Sequence, residues 1–200
     1  MTAEIVRATG QHLVLVLVSI GVATAVGVPL GIALTRRPAW QRLVLGSAAI
    51  VQTVPSLALF GLLISTGLGI GNTTAIVALT LYALLPILRN TVTGIAGVDP
   101  AVREAGRGMG MTDRQLLWRV ELPLAASVIL AGVRVATVVG IGVATIAPAI
   151  GAGGLGVFIF RGLHVLDNAT ILAGAVPAAL LAVAADASLG AVERRLAPPR

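Results

Sequence analysis

The chain has no cysteine and no lysine, and only 11% of its residues are charged, against roughly 25% in an average soluble domain. Without cysteine, disulfides and thiolate metal sites are excluded, and two isolated histidines do not build a metal centre by themselves. We therefore expect no metal and no bound cofactor in this chain. What the sequence has instead is 57% hydrophobic residues, which predicts an integral membrane protein.

The positive charge comes from arginine alone. Fourteen arginines against eight acidic residues give a formal net charge of +6. In a membrane chain such an excess first indicates topology, so the expected environment is a lipid bilayer and nucleic acid is not an expected partner.

Predominantly apolar segments of about 20 residues, enough to cross a bilayer as a helix, occur five times. The long run from residue 43 to 88 is divided by a glycine-rich break at 67–71. The sequence predicts one all-α transmembrane domain over 1–200, with spans at about 12–35, 43–67, 73–91, 124–150 and 169–190.

Arginine positions predict the orientation of these spans, because arginine near span ends is retained on the cytoplasmic side. Three clusters fall on one side of a five-span arrangement: Arg36, Arg37 and Arg42; Arg103, Arg107, Arg114 and Arg119; Arg194, Arg195 and Arg200. The other side carries only Arg7 and Arg161. We expect the N-terminus outside and the C-terminus in the cytoplasm.

The longest charged stretch, residues 99–123, lies between the third and fourth spans. Asp99 is suited to cap a helix that begins at Pro100. Thr112 and Gln115 have the spacing of a capping box for a second short helix. The sequence predicts two helices joined at a glycine elbow, with Leu122-Pro123 turning the chain into the fourth span.

The spacing Glu104-Ala105-Gly106, Gly110 and Leu122-Pro123 resembles the cytoplasmic EAA loop of ABC importer permeases. That resemblance implies a coupling loop whose Glu104, Ala105, Gly106 and Gly110 contact an ATP-hydrolysing subunit. Glycine at 106 departs from the alanine usual in the motif, which weakens the helix by up to about 1 kcal/mol. The alternative is an amphipathic loop whose arginines rest on anionic lipid headgroups.

The resemblance extends over about residues 10–198. Segments 52–59, 82–91, 94–100 and 150–156 are similar to the permeases of osmoprotectant importers. The resemblance implies a type I ABC importer permease in a bacterial inner or plasma membrane. It also implies a substrate class of glycine betaine, choline, carnitine or proline betaine, delivered by an extracellular or periplasmic binding protein.

The partners follow from the same resemblance and from one absence. The sequence has no Walker motif and no lysine to complete one, so ATP hydrolysis is expected in a separate subunit, present in two copies. One chain contributes few helices for a central path, so a second permease, identical or homologous, is expected.

Five residues are candidates for the translocation path: Gln52, Thr53, Ser56, Asn90 and Arg134. The first three form a polar notch around Pro55 that could equally bond helices together. Asn90 could join a gate or anchor the span at the interface. Arg134 falls near mid-membrane if the fourth span begins near Pro123, and it snorkels to the cytoplasmic face if the span begins later.

Residues 151–166 contain a glycine spacing of the form G-x-G-x-x-G, but no strand precedes it, so a nucleotide site is not expected. We expect a short external or re-entrant segment there. Two other functions stay open: an ABC permease for another small solute such as an amino acid, and a stand-alone channel or secondary transporter. The last usually uses intramembrane carboxylates, for which only Asp186 is a candidate.

Overall fold

The computed structural model describes residues 2–196, which consist of helices and turns without a β-strand. Arg200, assigned above to the third arginine cluster, lies outside the described residues. The helices are α1 (Thr2–Thr35), α2 (Pro38–Thr53), α3 (Ser56–Leu63), α4 (Asn72–Ala96), α5 (Pro100–Gly108), α6 (Asp113–Leu116), α7 (Leu122–Ala144), α8 (Gly156–Val165) and α9 (Asn168–Leu196). Short π-helical turns follow α3 (Ile64–Leu68) and α6 (Leu117–Glu121), and a 3-10 turn (Ala147–Ile150) follows α7.

Helices α1, α4 and α7 form the core of the bundle. Small residues allow close contact there: Gly27 of α1 lies against Ile87 of α4, and Gly132 of α7 lies against Asn90 of α4. Such contacts are how helices associate in lipid, where apolar side chains gain little by leaving the solvent. The outward faces of α1 and α9 expose large apolar side chains, including Leu17 and Leu180, as expected of lipid-facing surfaces.

Within residues 2–196, four helical segments are long and apolar enough to cross a membrane, and α2 with α3 supplies a fifth crossing only as a broken pair. The span predicted at about 43–67 has the form of two helices, α2 and α3, which meet at an angle of 105°. Val54 has extended backbone angles (φ −68°, ψ 126°). The cause is Pro55, whose ring disfavours helical angles in the preceding residue.

The entry into the fourth span also differs from expectation. Leu122-Pro123 does not turn the chain: residues Asp113–Ala144 form one 32-residue helical segment. Pro123 lacks an N–H donor, and the π-helical turn before it re-pairs the backbone, with the Leu122 N–H directed to the Leu117 carbonyl. The second half of the charged loop and the fourth span therefore form one continuous helical segment.

The helix ends meet at two distinct ends of the bundle. At the first, which we call the arginine-rich end, Arg36 after α1 and Arg103 of α5 both contact Glu121 before α7. At the second, the glycine-rich end, the segment 151–156 contacts the starts of α1 and α4. In a chain of five spans, successive span ends alternate between the two sides of the membrane, and these two groups of helix ends follow that alternation.

Candidate functional site

The predicted helix caps of the charged loop are confirmed. The Asp99 carboxylate accepts a hydrogen bond from the Ala101 N–H at 2.8 Å. Thr112 and Gln115 form the full capping box: the Gln115 N–H donates to the Thr112 hydroxyl at 3.3 Å, and the Thr112 N–H donates to the Gln115 side chain at 2.9 Å. Local sequence therefore defines both short helices before any tertiary contact is considered.

The four residues assigned to ATPase contact do not share one environment. Glu104 and Ala105 lie exposed on α5, and Gly110 is exposed at the elbow. The elbow requires glycine because Gly110 has a φ of +80°. Gly106 is instead buried: a Cβ there would lie 2.7 Å from Leu116 Cδ1. Gly106 thus packs α5 onto α6, while the other three form the outer surface of the loop.

Sequence reasoning missed the carboxylate at the base of this loop. Glu121 is almost fully buried, and its Oε2 accepts a hydrogen bond from Arg36 Nη2 at 2.7 Å. Arg103 Nε lies 3.1 Å from its Oε1 as an ion pair. Both arginines belong to the arginine clusters described above, but Arg36 lies 85 residues before Glu121 in the chain. No local sequence pattern therefore predicts that Arg36 and Glu121 pair.

An open cavity of about 460 Å³ lies between the bend after α2 and the middles of α4 and α7. It contains two of the five path candidates, Gln52 and Asn90. The residues that line it are Gln52, Tyr82, Leu85, Pro86, Arg89, Asn90, Val135, Val139 and Val143. Thr53 is exposed and bonds back to the Ile50 carbonyl at 2.7 Å. Neither Thr53 nor Ser56 lines the cavity.

The polar groups of the cavity repair a proline break. Pro86 has no N–H to give the Tyr82 carbonyl one turn earlier, and Gln52 Nε2 donates to that carbonyl at 2.8 Å. The Tyr82 hydroxyl in turn donates to the Val54 carbonyl beside the bend. Gln52 therefore joins α2 to α4 as well as lining the cavity. Asn90 Nδ2 donates to the Pro86 carbonyl at 2.9 Å.

Arg134 is directed away from this cavity. Its guanidinium binds Asp186 of α9 with two hydrogen bonds of 2.7 Å, and Nη1 donates to Glu193 at 3.1 Å. Gly190 provides the space, since a Cβ there would lie 3.0 Å from Arg134 Nη1. The single charge inside the fourth span is therefore paired with the fifth span.

At the glycine-rich end, amide and imidazole side chains contact backbone atoms. His12 Nε2 lies 3.1 Å from the Ile141 carbonyl in the last turn of α7, where carbonyls lack intrahelical partners. The Gly154 N–H donates to Gln11 Oε1, and the Gly153 N–H to Asn72 Oδ1, both at 3.3 Å. Packing is closest at Gly156, where a Cβ would lie 1.8 Å from the Thr145 carbonyl oxygen.

The segment 151–166 ends in α8, ten residues long and too short to cross a bilayer. Near its end, His164 contacts the Phe160 carbonyl, and the Asp167 carboxylate accepts a hydrogen bond from the Ala169 N–H at the start of α9. The Thr170 hydroxyl and the Ala169 N–H hold the pKa of the Asp167 carboxyl below its usual value. This segment is anchored to the bundle by its glycines and by α9.

The complete arrangement is that of a type I ABC importer permease. The helix order and packing match a solved chain of an inward-facing MetNI methionine ABC transporter with a TM-score of 0.88, over 99% of this chain and 98% of that one. Sequence identity is 24%, so the likeness establishes the fold.

Sequence comparisons then define the family. Residues 27–198 match the family model described as binding-protein-dependent transport system inner membrane component, and the chain belongs to that family. It is 50% identical over 190 residues to the carnitine transport permease protein OpuCB of Listeria monocytogenes, covering 95% of this chain and 87% of the relative. It is 46% identical over 194 residues to the osmoprotectant import permease protein OsmW of Salmonella typhimurium, covering 95% and 90%.

A third relative has a broader description. It is the glycine betaine/carnitine/choline transport system permease protein OpuCB of Bacillus subtilis, 46% identical over 195 residues, covering 98% of this chain and 89% of the relative. The chain is therefore a transport permease subunit of an inner membrane, and its resemblance to the osmoprotectant permeases is confirmed.

Proposed function

We propose that this chain is the membrane-spanning subunit of an ATP-driven importer for quaternary ammonium osmoprotectants such as glycine betaine, choline and carnitine. The observation that carries the proposal is near-full-length identity of 46–50% to permeases named for these solutes. These relatives favour an osmoprotectant over an amino acid, because the methionine transporter resembles the chain in fold alone.

The second element of the proposal is that residues 99–123 form the coupling loop and lie in the cytoplasm, with the N-terminus outside and the C-terminus inside. The arginine content of the loop supports this side. Exposure of Glu104, Ala105 and Gly110 supports contact with the ATPase, and Gly106 supports that surface from beneath by packing on Leu116. Each permease copy would bind one of two ATPase subunits.

The third element is the path. The cavity of about 460 Å³ is open, and its wall combines the amide groups of Gln52 and Asn90 with the valines of α7. An open cavity in one chain is half of an enclosed passage, so a second permease, identical or homologous, would supply the other half. Tyr82 is the one aromatic residue among those that line the cavity of this chain. A single ring cannot build the aromatic cage that binds quaternary ammonium tightly. A separate binding protein would supply that affinity.

Transport by the reconstituted complex tests the substrate class. The chain would be purified with the ATPase and binding protein that accompany it, and uptake of radiolabelled betaine, choline and carnitine measured in proteoliposomes. We expect ATP-dependent uptake of at least one of the three, resistant to a hundredfold excess of methionine. Uptake without ATP would contradict the proposal, as would transport of amino acids alone.

Replacement at the elbow tests the coupling surface. Gly110→Asp should abolish transport and co-purification of the ATPase while membrane insertion stays intact. Gly110→Asn is the matched control, because asparagine has the shape of aspartate and a similar tolerance of the φ of +80° without the negative charge, and it should keep more of the ATPase association than Gly110→Asp. Normal co-purification of the ATPase with Gly110→Asp would refute the coupling assignment.

A further inference from the structure

One buried carboxylate connects the coupling loop to the helix bundle. The Glu121 side chain is 1% exposed, whereas those of its partners Arg36 and Arg103 are 45% and 22% exposed. Burial of a charged group is costly unless opposite charges and hydrogen bonds compensate it. Both arginines supply positive charge, and each belongs to a different part of the fold.

The partners reach four structural elements. Arg36 directly follows α1, and Arg103 lies in the middle of α5. Arg103 Nη2 also donates to the Ile95 carbonyl in the last turn of α4. Glu121 itself closes the π-helical turn that leads without a break into α7. Helix α5 is thus connected to α1, α4 and α7 through one carboxylate and two guanidinium groups.

This geometry restricts independent motion of α5. If α5 moved alone, Arg103 would leave Glu121 and the Ile95 carbonyl, and buried charge would lose its compensation. A joint movement of α5 with the end of α1 and the start of α7 keeps these contacts and therefore costs less free energy. A cavity of about 280 Å³ beside the network, lined by Arg36, Arg103, Glu121 and Glu104 among others, gives these side chains room to shift together.

We infer that Glu121 is a positioning residue for coupling: through Arg103 and Arg36 it transmits displacement of the ATPase-bound α5 to the spanning helices. The inference rests on the proposed function and assigns a role to a residue outside the Glu104–Gly110 contact surface. It distinguishes two properties of the complex: binding of the ATPase subunit, and transmission of the movement of that subunit to the spanning helices.

The experiment compares ATP hydrolysis with solute uptake in the same reconstituted complex. Glu121→Gln keeps the side-chain shape and removes the charge. We expect the ATPase subunit to co-purify normally and ATP hydrolysis to stay within about twofold, while uptake falls about tenfold, within the roughly 5- to 150-fold range of typical coupling free energies. The number of ATP molecules hydrolysed per solute carried should therefore rise about 5- to 20-fold.

Glu193→Gln is the matched control, since it removes another arginine-paired carboxylate while Arg134 keeps both hydrogen bonds to Asp186. For this variant, the ratio of ATP molecules hydrolysed to solute molecules carried should equal that of the unmodified chain. Arg103→Gln cuts the connection to α5 but leaves Glu121 paired with Arg36, and it should raise the ratio as well. Should Glu121→Gln fail to assemble, the ratio measured for Arg103→Gln decides.

An unchanged ratio in an assembled Glu121→Gln complex would overturn the inference, whether uptake and hydrolysis stay normal or fall by the same factor. Failure of the proposed function looks different, because the unmodified complex itself would then show no solute uptake linked to ATP hydrolysis. The two failures are thus separated by the behaviour of the unmodified chain.

Discussion

The two ends of the helix bundle are held together by different chemistry. At the arginine-rich end, Arg36 and Arg103 reach Glu121 with long side chains. At the glycine-rich end, uncharged groups such as Gln11 and His12 bind backbone atoms, and Gly156 brings two backbone segments into direct contact. Long side chains can change rotamer and keep their contact when a helix is displaced. Two backbone segments in direct contact have no side chain between them that could adjust in this way.

This difference fits two mechanical roles. If the arginine-rich end moves together with a bound ATPase subunit, its contacts must persist while the helices shift. The long arginine side chains provide such contacts. An end that keeps α1, α4 and α7 in fixed relation needs close packing. We expect substitutions at the glycine-rich end to affect stability most, and substitutions at the arginine-rich end to affect coupling while leaving the fold intact.

Gly156→Ala should have the largest effect. The added Cβ would lie 1.8 Å from the Thr145 carbonyl oxygen, and backbone on both sides leaves no side chain to rotate away. The gain of about 1 kcal/mol in helix propensity does not offset this overlap, which should cost more than about 3 kcal/mol. Thermal unfolding in detergent should show a much lower midpoint; an unchanged midpoint would contradict the packing described here.

His12→Ala should rank second. The Ile141 carbonyl would lose its hydrogen bond from His12 Nε2 inside the protein, a loss of about 1–3 kcal/mol. His164→Ala is the control, because that ring is exposed and contacts only the Phe160 carbonyl of its own helix. Equal thermal midpoints for the two variants would show that His12 does not stabilise the end of α7.

Gln52→Leu tests the middle of the bundle, between the two ends. It leaves the Tyr82 carbonyl, already deprived of its helical donor by Pro86, without Gln52 Nε2. We expect a loss of about 1–2 kcal/mol in stability. Thr53→Val, at the exposed neighbouring position, should change stability by less than about 0.5 kcal/mol. The comparison fails if both variants unfold at the same temperature.

Gly106→Ala should have the smallest effect and gives the sharpest contrast with Gly156→Ala. The new Cβ would meet Leu116 Cδ1 at 2.7 Å, but this atom is the end of a side chain that can rotate. The steric cost and the gain of about 1 kcal/mol in helix propensity nearly cancel. The thermal midpoint should therefore move by only a few degrees, and a collapse as severe as that of Gly156→Ala would contradict the proposed difference between the ends.

Local features of this chain were predictable from the sequence because their causes are local. The five apolar runs, the Asp99 cap, the capping box of Thr112 with Gln115 and the glycine elbow each depend on residues a few positions apart. These predictions agree with the helices observed, with the second span present as a broken pair.

The remaining features depend on contacts between distant residues. Next to the bend of 105° at Pro55, Gln52 and Val54 are hydrogen-bonded to Tyr82, which follows them by 30 and 28 residues. Burial of Glu121 depends on Arg36, 85 residues earlier, and the pairing of Arg134 with Asp186 spans 52 residues. Hydropathy and spacing report none of these distances, so a sequence can identify a charged residue without revealing which residue will pair with it.

The location of the coupling loop can be measured directly, because the chain has no cysteine of its own. Met109 at the elbow and Val165 at the end of α8 are 72% and 67% exposed, and each would be replaced singly by cysteine. In intact cells, a membrane-impermeant maleimide should label the Val165→Cys variant and leave the Met109→Cys variant unlabelled until the cells are opened. Labelling of Met109→Cys in intact cells would place the loop outside and contradict the account.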